Sequence, residues 1–191
     1  MNHFTIEGPL NEWIVLFHGT GGNEYSLLQI AGDIEPNAHV LSFLGDVDEG
    51  ANRRFFAPLK AGTLDRADFD ARIDAFLKDW PQLRPEQATR ITFMGFSNGA
   101  NFVLGLLEKE PAIADRVVLL HPSNLAYTFT EGSNAQIIVT SGAMDTLALP
   151  GDTMKLTKQL EAVFPNTTLK LLDGAHGMTE QEITYLQDTL R

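Results

Sequence analysis

Cysteine is absent from the 191 residues. That excludes disulfides, a thiol nucleophile and thiolate metal sites, and it fits a cytoplasmic protein. Basic charge is also scarce. Fourteen Lys and Arg stand against 25 Asp and Glu, giving a net charge of -11. An acidic surface repels phosphate backbones and anionic headgroups, so nucleic acid is not an expected partner. Arg53-Arg54 is the closest basic pair, too small to reverse this. Long apolar runs are missing as well. Trp13 to Phe17 and Val117 to Leu120 are far too short to cross a bilayer, and no membrane insertion is expected. The opening stretch, Met1 to Pro9, has neither a basic n-region nor an apolar h-region, so no signal peptide is expected.

What is present suits a soluble enzyme. Apolar residues make up 43% of the chain and charged residues 20%. This length supports one well-buried domain, residues 1–191, and composition excludes disorder. Short β-rich runs recur, each followed by a turn and then a helical pattern. The runs are Trp13 to Phe17, His39 to Phe43, Ile91 to Phe96, Val117 to Leu120, Gln136 to Thr140 and Thr168 to Leu172. Thr5 and Ile6 add a candidate edge strand. Helical spacing covers Glu24 to Ala31, Arg66 to Trp80, Asn98 to Glu110, Asp152 to Phe164 (with Asp152 as cap) and Thr179 to Leu190. Thr179 and Glu182 form a capping-box pattern. Alternation of this kind predicts an α/β fold, a doubly wound, mostly parallel sheet with helices on both faces. Two long connections, Leu44 to Asp65 and Pro122 to Ala135, are too short for a cap domain.

Gly95-Phe96-Ser97-Asn98-Gly99 fits the nucleophile-elbow pattern G-x-S-x-G. The serine of such an elbow sits on a sharp strand-to-helix turn, where flanking side chains would crowd the backbone. Alone, the pattern is weak. Here an apolar strand runs into it and a helical pattern leaves it. The order of such sites is Ser, then acid, then His, each after a later strand. Asp145 follows the run Gln136 to Thr140, and His176 follows Thr168 to Leu172. In a parallel sheet both lie at the ligand-binding edge. His121 ends the run Val117 to Leu120 on the same edge and is the rival base; Asp173 is the rival acid. His18 reads as structural, bracing the turn after the first strong strand. An oxyanion needs two N–H donors. Asn98, directly after the serine, and Thr20, in His18-Gly19-Thr20-Gly21-Gly22, are the candidates. That loop lacks the Gly-Lys-Ser/Thr of a P-loop and the G-x-G-x-x-G of a dinucleotide fold.

His18 to Glu24, the elbow, and the Asp145 and His176 loops together resemble the phospholipase/carboxylesterase family of small, capless α/β-hydrolases. The H-G-T-G-G-N-E form, Arg54-Phe55-Phe56 and Asn98 after the serine are most like bacterial members linked to quinone and hydroquinone resistance. The resemblance implies an α/β-hydrolase fold without a cap domain and a cofactor-free esterase, lysophospholipase or thioesterase. In one departure, Leu44-Gly45 stands where members often have Arg-Gly. A capless site is shallow and open, which favours small or flexible esters, up to short or medium acyl chains. Phe55, Phe56, Leu125, Tyr127 and Met178 lie on loops or loop edges and are the candidate acyl contacts. A homodimer is compatible with an exposed apolar edge. Two other readings remain. A dienelactone-hydrolase-like enzyme would need a cysteine that the chain lacks. A catalytically silent α/β-hydrolase-fold protein would keep the pocket and bind without turnover.

Overall fold

The computed structural model describes all of residues 1–191. Seven strands form one sheet: β1 His3–Ile6, β2 Glu12–Phe17, β3 His39–Phe43, β4 Arg90–Phe96, β5 Arg116–Leu120, β6 Gln136–Gly142 and β7 Thr167–Leu172. Their spatial order is β1-β3-β2-β4-β5-β6-β7. Every neighbouring pair is parallel except β1 on β3, which is antiparallel. The C-terminal ends of β2 and of β4 to β7 therefore share one edge of the sheet.

Strand composition explains the layering. In β2, Val15 and Phe17 enter one core layer, while Ile14 and Leu16 enter the other. Both faces are covered, so the strand has no polar alternation. Helices α2 (Arg66–Leu83), α3 (Asn98–Lys109) and α4 (Pro150–Glu161) contribute to the first layer. Helices α1 (Leu28–Ile34) and α5 (Glu180–Leu190) contribute to the second. Phe17 is the hub of the first layer. Its ring packs on Phe43, Phe55, Phe76, Phe93 and Phe102 with centroids 5.5–5.8 Å apart. Burying one such side chain contributes roughly 1.5–3 kcal/mol. The hub anchors the last residue of β2, and so the start of the glycine-rich loop that follows.

The six expected strands are present at the expected places, and Thr5-Ile6 belongs to a real edge strand. Three helices depart from their expected bounds by more than one residue. The first helix starts at Leu28, not Glu24. Before it, Asn23 Oδ1 accepts from Tyr25 N and Ser26 Oγ accepts from Asn23 N, holding the chain in turns instead. The α2 helix continues through Pro81 to Leu83, with Arg84 N closing on Trp80 O. Asp152 is not the cap of α4. Leu149 holds that position, Pro150 takes the first helical turn, and Asp152 lies inside that turn, where a carboxylate suits the positive end of the helix.

Candidate active site

Ser97 joins β4 to α3 with φ 50° and ψ -110°. A side chain rarely adopts this region, so the turn holds its serine under strain. The two glycines show how. A Cβ on Gly95 would lie 2.6 Å from Ala100 N. One on Gly99 would overlap the Phe17 carbonyl oxygen and lie 2.6 Å from that of His18. The helix therefore presses directly on the end of β2. Ser97 N donates to Leu120 O at 2.8 Å, which ties the elbow to β5.

Asp145 and His176 come from the turns after β6 and β7. These turns are also tightly apposed, because a Cβ on Gly142 would overlap the Ala175 carbonyl oxygen. Met144 N donates to Gly174 O at 2.9 Å. The result is a linear hydrogen-bonded series. His176 Nδ1 donates to Asp145 Oδ2 at 2.7 Å, and His176 Nε2 accepts from Ser97 Oγ at 2.8 Å. Asp145 is buried, with Leu147 N and Ala148 N each donating to its Oδ1 at 2.8 Å. Burial alone would raise its pKa. The Ala148 amide, the His176 ring and the Leu147 amide outweigh that and hold the carboxyl below its ordinary value.

The rival residues are accounted for. His121 does not reach Ser97; its two ring nitrogens lie against Asp145 Oδ2 at 3.3 Å and Glu182 Oε2 at 3.1 Å. Asp173 is exposed at the mouth of its loop. His18 is structural: Nδ1 donates to Gly19 O at 2.7 Å, and Gly45 N donates to Nε2 at 3.0 Å. Burial lowers its pKa, which suits this neutral form.

Neither Thr20 N nor Asn98 N donates to a protein acceptor. The Asn98 side chain is buried and accepts from Phe55 N at 2.8 Å, locking the start of α3 to the segment that carries Arg54. Arg54 in turn donates from Nη2 to Thr20 Oγ1 at 3.0 Å.

The expected acyl contacts divide. Met178 lines a cleft of about 350 Å³ with Gly19, Thr20, Leu27, Ile30 and Phe96. Leu125 lies in a different cleft, with Leu64 and Arg66. Phe55, Phe56 and Tyr127 are buried core residues. Aromatic side chains of this size are most easily buried whole in the thick layer under α2 and α3, which the sequence does not reveal. The cleft residues missed from sequence are Phe96, Leu27 and Ile30. Phe96 had a signal, since it is the second residue of the elbow motif.

His121, Asp145 and His176 each offer one potential ligand atom, and these lie within 4.8 Å of one another. Both rings bond the same carboxylate oxygen, so hydrogen bonding by itself accounts for that clustering.

The chain matches no family model. It is 28% identical over 187 residues to a Bacillus subtilis (strain 168) protein named as the hydrolase MhqD, covering 95% of this chain and 94% of that one. It is 25% identical over 206 residues to the esterase YpfH of Escherichia coli (strain K12), covering 100% and 88%. The Bacillus cereus carboxylesterase superposes with a TM-score of 0.88 at 27% identity, covering 100% of this chain and 93% of that one. The fold class is thus the α/β-hydrolase. Within it the chain is a carboxylesterase-type hydrolase, and these relatives bear out the resemblance to the phospholipase/carboxylesterase family. No helix is long and apolar enough to cross a membrane.

Proposed function

We propose that the protein cleaves carboxylic esters through a Ser97-His176-Asp145 triad and an acyl-enzyme. The observation that carries this is the unbroken series of 2.8 Å and 2.7 Å contacts from Ser97 Oγ through His176 to Asp145. Ser97 Oγ attacks the ester carbonyl while His176 Nε2 takes its proton. Asp145 fixes the tautomer and stabilises the imidazolium. The free N–H groups of Thr20 and Asn98 receive the oxyanion; losing one such donor costs about 3–4 kcal/mol of transition-state stabilisation. His176 then protonates the leaving alcohol. Water, deprotonated by His176, releases the acid and regenerates Ser97.

The cleft lined by Leu27, Ile30, Phe96 and Met178 supports an apolar acyl group of short to medium length. Its openness to solvent supports small esters, with thioesters and lysophospholipids as related substrates of the same chemistry. One continuous sheet supports reading residues 1–191 as a single domain.

The test is labelling with a fluorophosphonate probe alongside hydrolysis of p-nitrophenyl acetate. Wild type labels at Ser97 and turns over, and Ser97→Ala does neither while retaining its fold. Esterase activity surviving in Ser97→Ala would overturn the assignment.

A further inference from the structure

Behind the triad lies a second pair of ionisable side chains that the proposed chemistry does not use. His121 and Glu182 are both buried, with 2% and 1% of their surface exposed. His121 directly follows β5 with φ 51°, a left-handed backbone that a non-glycine residue adopts at a cost. Its backbone N–H donates to Thr140 O, tying the residue to β6. Glu182 stands in the first turn of α5. There the capping box is only half made. Thr179 Oγ1 accepts from Glu182 N, but the Glu182 side chain turns inward to His121 instead of back to the cap. Its second oxygen, Oε1, is buried and has no partner.

The proton count of this pair is constrained. Asp145 already accepts from two amides and from His176, so the His121 contact requires Nδ1 of His121 to donate. His121 Nε2 and Glu182 Oε2 are then 3.1 Å apart with a proton between them. The groups facing His121 are Asp145 from the loop after β6, Glu182 from α5, the His176 ring at 5.6 Å and the edge of Phe96 at 5.9 Å. Burial works against charge on His121, but Glu182 and then Asp145 outweigh it and hold its pKa above the ordinary value.

We infer that His121 and Glu182 are positioning residues for the proposed reaction: Glu182 holds His121, and His121 holds the carboxylate oxygen of Asp145 that orients His176. With His121 in place, every lone-pair direction of Asp145 is occupied. Two amides fix Oδ1 and two imidazoles fix Oδ2. Without it, the carboxylate can turn about its last bond, and His176 turns with it. The half-bonded Glu182 is the strongest argument for this role. A buried carboxylate with an orphan oxygen is a poor structural element, since an apolar replacement is often neutral or stabilising. Its place against His121, one hydrogen bond from the triad, fits a role in holding the reacting groups. This inference rests on the triad proposed above.

The experiment compares His121→Asn, Glu182→Ala and Glu182→Gln with wild type, using p-nitrophenyl acetate and circular dichroism. Asparagine tolerates the left-handed backbone of position 121. We expect His121→Asn and Glu182→Ala to lower kcat by about 10- to 100-fold, the scale of a small misplacement of a catalytic group, with KM within about twofold. The acid limb of kcat/KM should move by roughly half a pH unit or more as the hydrogen bonding around Asp145 changes. Glu182→Gln, which still bonds His121, should recover part of kcat. If the folded variants keep wild-type kcat and an unchanged acid limb, the inference is overturned. Should His121→Asn not fold, the two Glu182 variants decide on the same criteria. If wild type itself shows no turnover, the triad reading fails instead. The inference is then judged without substrate, by ¹⁵N-histidine NMR. The His176 Nδ1 proton resonance must differ between wild type and Glu182→Ala, and an unchanged resonance overturns it.

Discussion

Replacing Gly99 by alanine tests the claim that helix α3 is pressed against the end of β2. The added Cβ would lie 2.5 Å from the Phe17 carbonyl carbon and 2.6 Å from the His18 oxygen, and it would overlap the Phe17 oxygen. All are backbone atoms, so no flexible side chain can yield. Real Cβ atoms essentially never come within 3.0 Å of such neighbours, so the helix or the strand end must shift by about 1 Å, in a layer already packed to crystal-like density. Overpacking typically costs 1–3 kcal/mol, and a backbone clash belongs at the upper end or beyond. At about 2–4 °C per kcal/mol for a protein of this size, the melting temperature should fall by roughly 6–12 °C. Activity should fall further than stability. Ser97 lies two residues before Gly99 and Thr20 two after His18, so both sides of the site move, and a 1 Å misplacement costs on the order of 100-fold in rate. Gly151→Ala is the control. No atom lies within 4 Å of its added Cβ, and it stands in the first turn of α4. It should leave activity unchanged and stability unchanged or improved by up to about 1 kcal/mol. Thermal unfolding and p-nitrophenyl acetate turnover give both readouts. The reasoning is refuted if Gly99→Ala melts within about 2 °C of wild type and keeps its rate within twofold.

Other perturbations reach different parts of the site. Asn98→Ala strands the buried Phe55 N–H and should cost about 1–3 kcal/mol in denaturant unfolding; an unchanged midpoint would show that the contact is dispensable. Because the pKa of His121 is raised on folding, its contribution to stability is complete below its unfolded value, about pH 6.5, and is lost as pH rises through the folded value. Wild type should therefore lose more melting temperature than His121→Asn between pH 6 and pH 9, and parallel curves would refute this. Met178→Trp narrows the cleft beside Ile30 and Phe96. It should raise KM for octanoyl esters several-fold while leaving acetate esters nearly unaffected; equal effects on both would detach that cleft from acyl binding.

The fold was legible because the strands carry their message in composition. Runs such as Ile91 to Phe96 are buried on both faces, and a doubly covered parallel sheet is the simplest arrangement for them. Order along the chain then put Ser97, Asp145 and His176 at one edge, and the structure brings the three into hydrogen-bonding distance. What stayed hidden depends on relations no local pattern encodes. The turns before α1 come from the Asn23 and Ser26 side chains bonding backbone amides. Phe55, Phe56 and Tyr127 looked like pocket residues because they sit on loops, yet the layer beneath α2 and α3 absorbs them. The meaning of Glu182 was masked by a plausible local motif, since a capping-box position gives no hint that its side chain points inward to a histidine 61 residues away.

Ser97 occupies a backbone region that glycine enters freely and other residues enter at about 1–3 kcal/mol. Random substitution followed by selection for heat resistance alone would therefore tend to favour Ser97→Gly, which releases the strain and destroys the nucleophile. Durability and activity pull against each other at this single codon. A thermostabilised form of this protein is best sought at sites remote from the elbow, with turnover screened at every round.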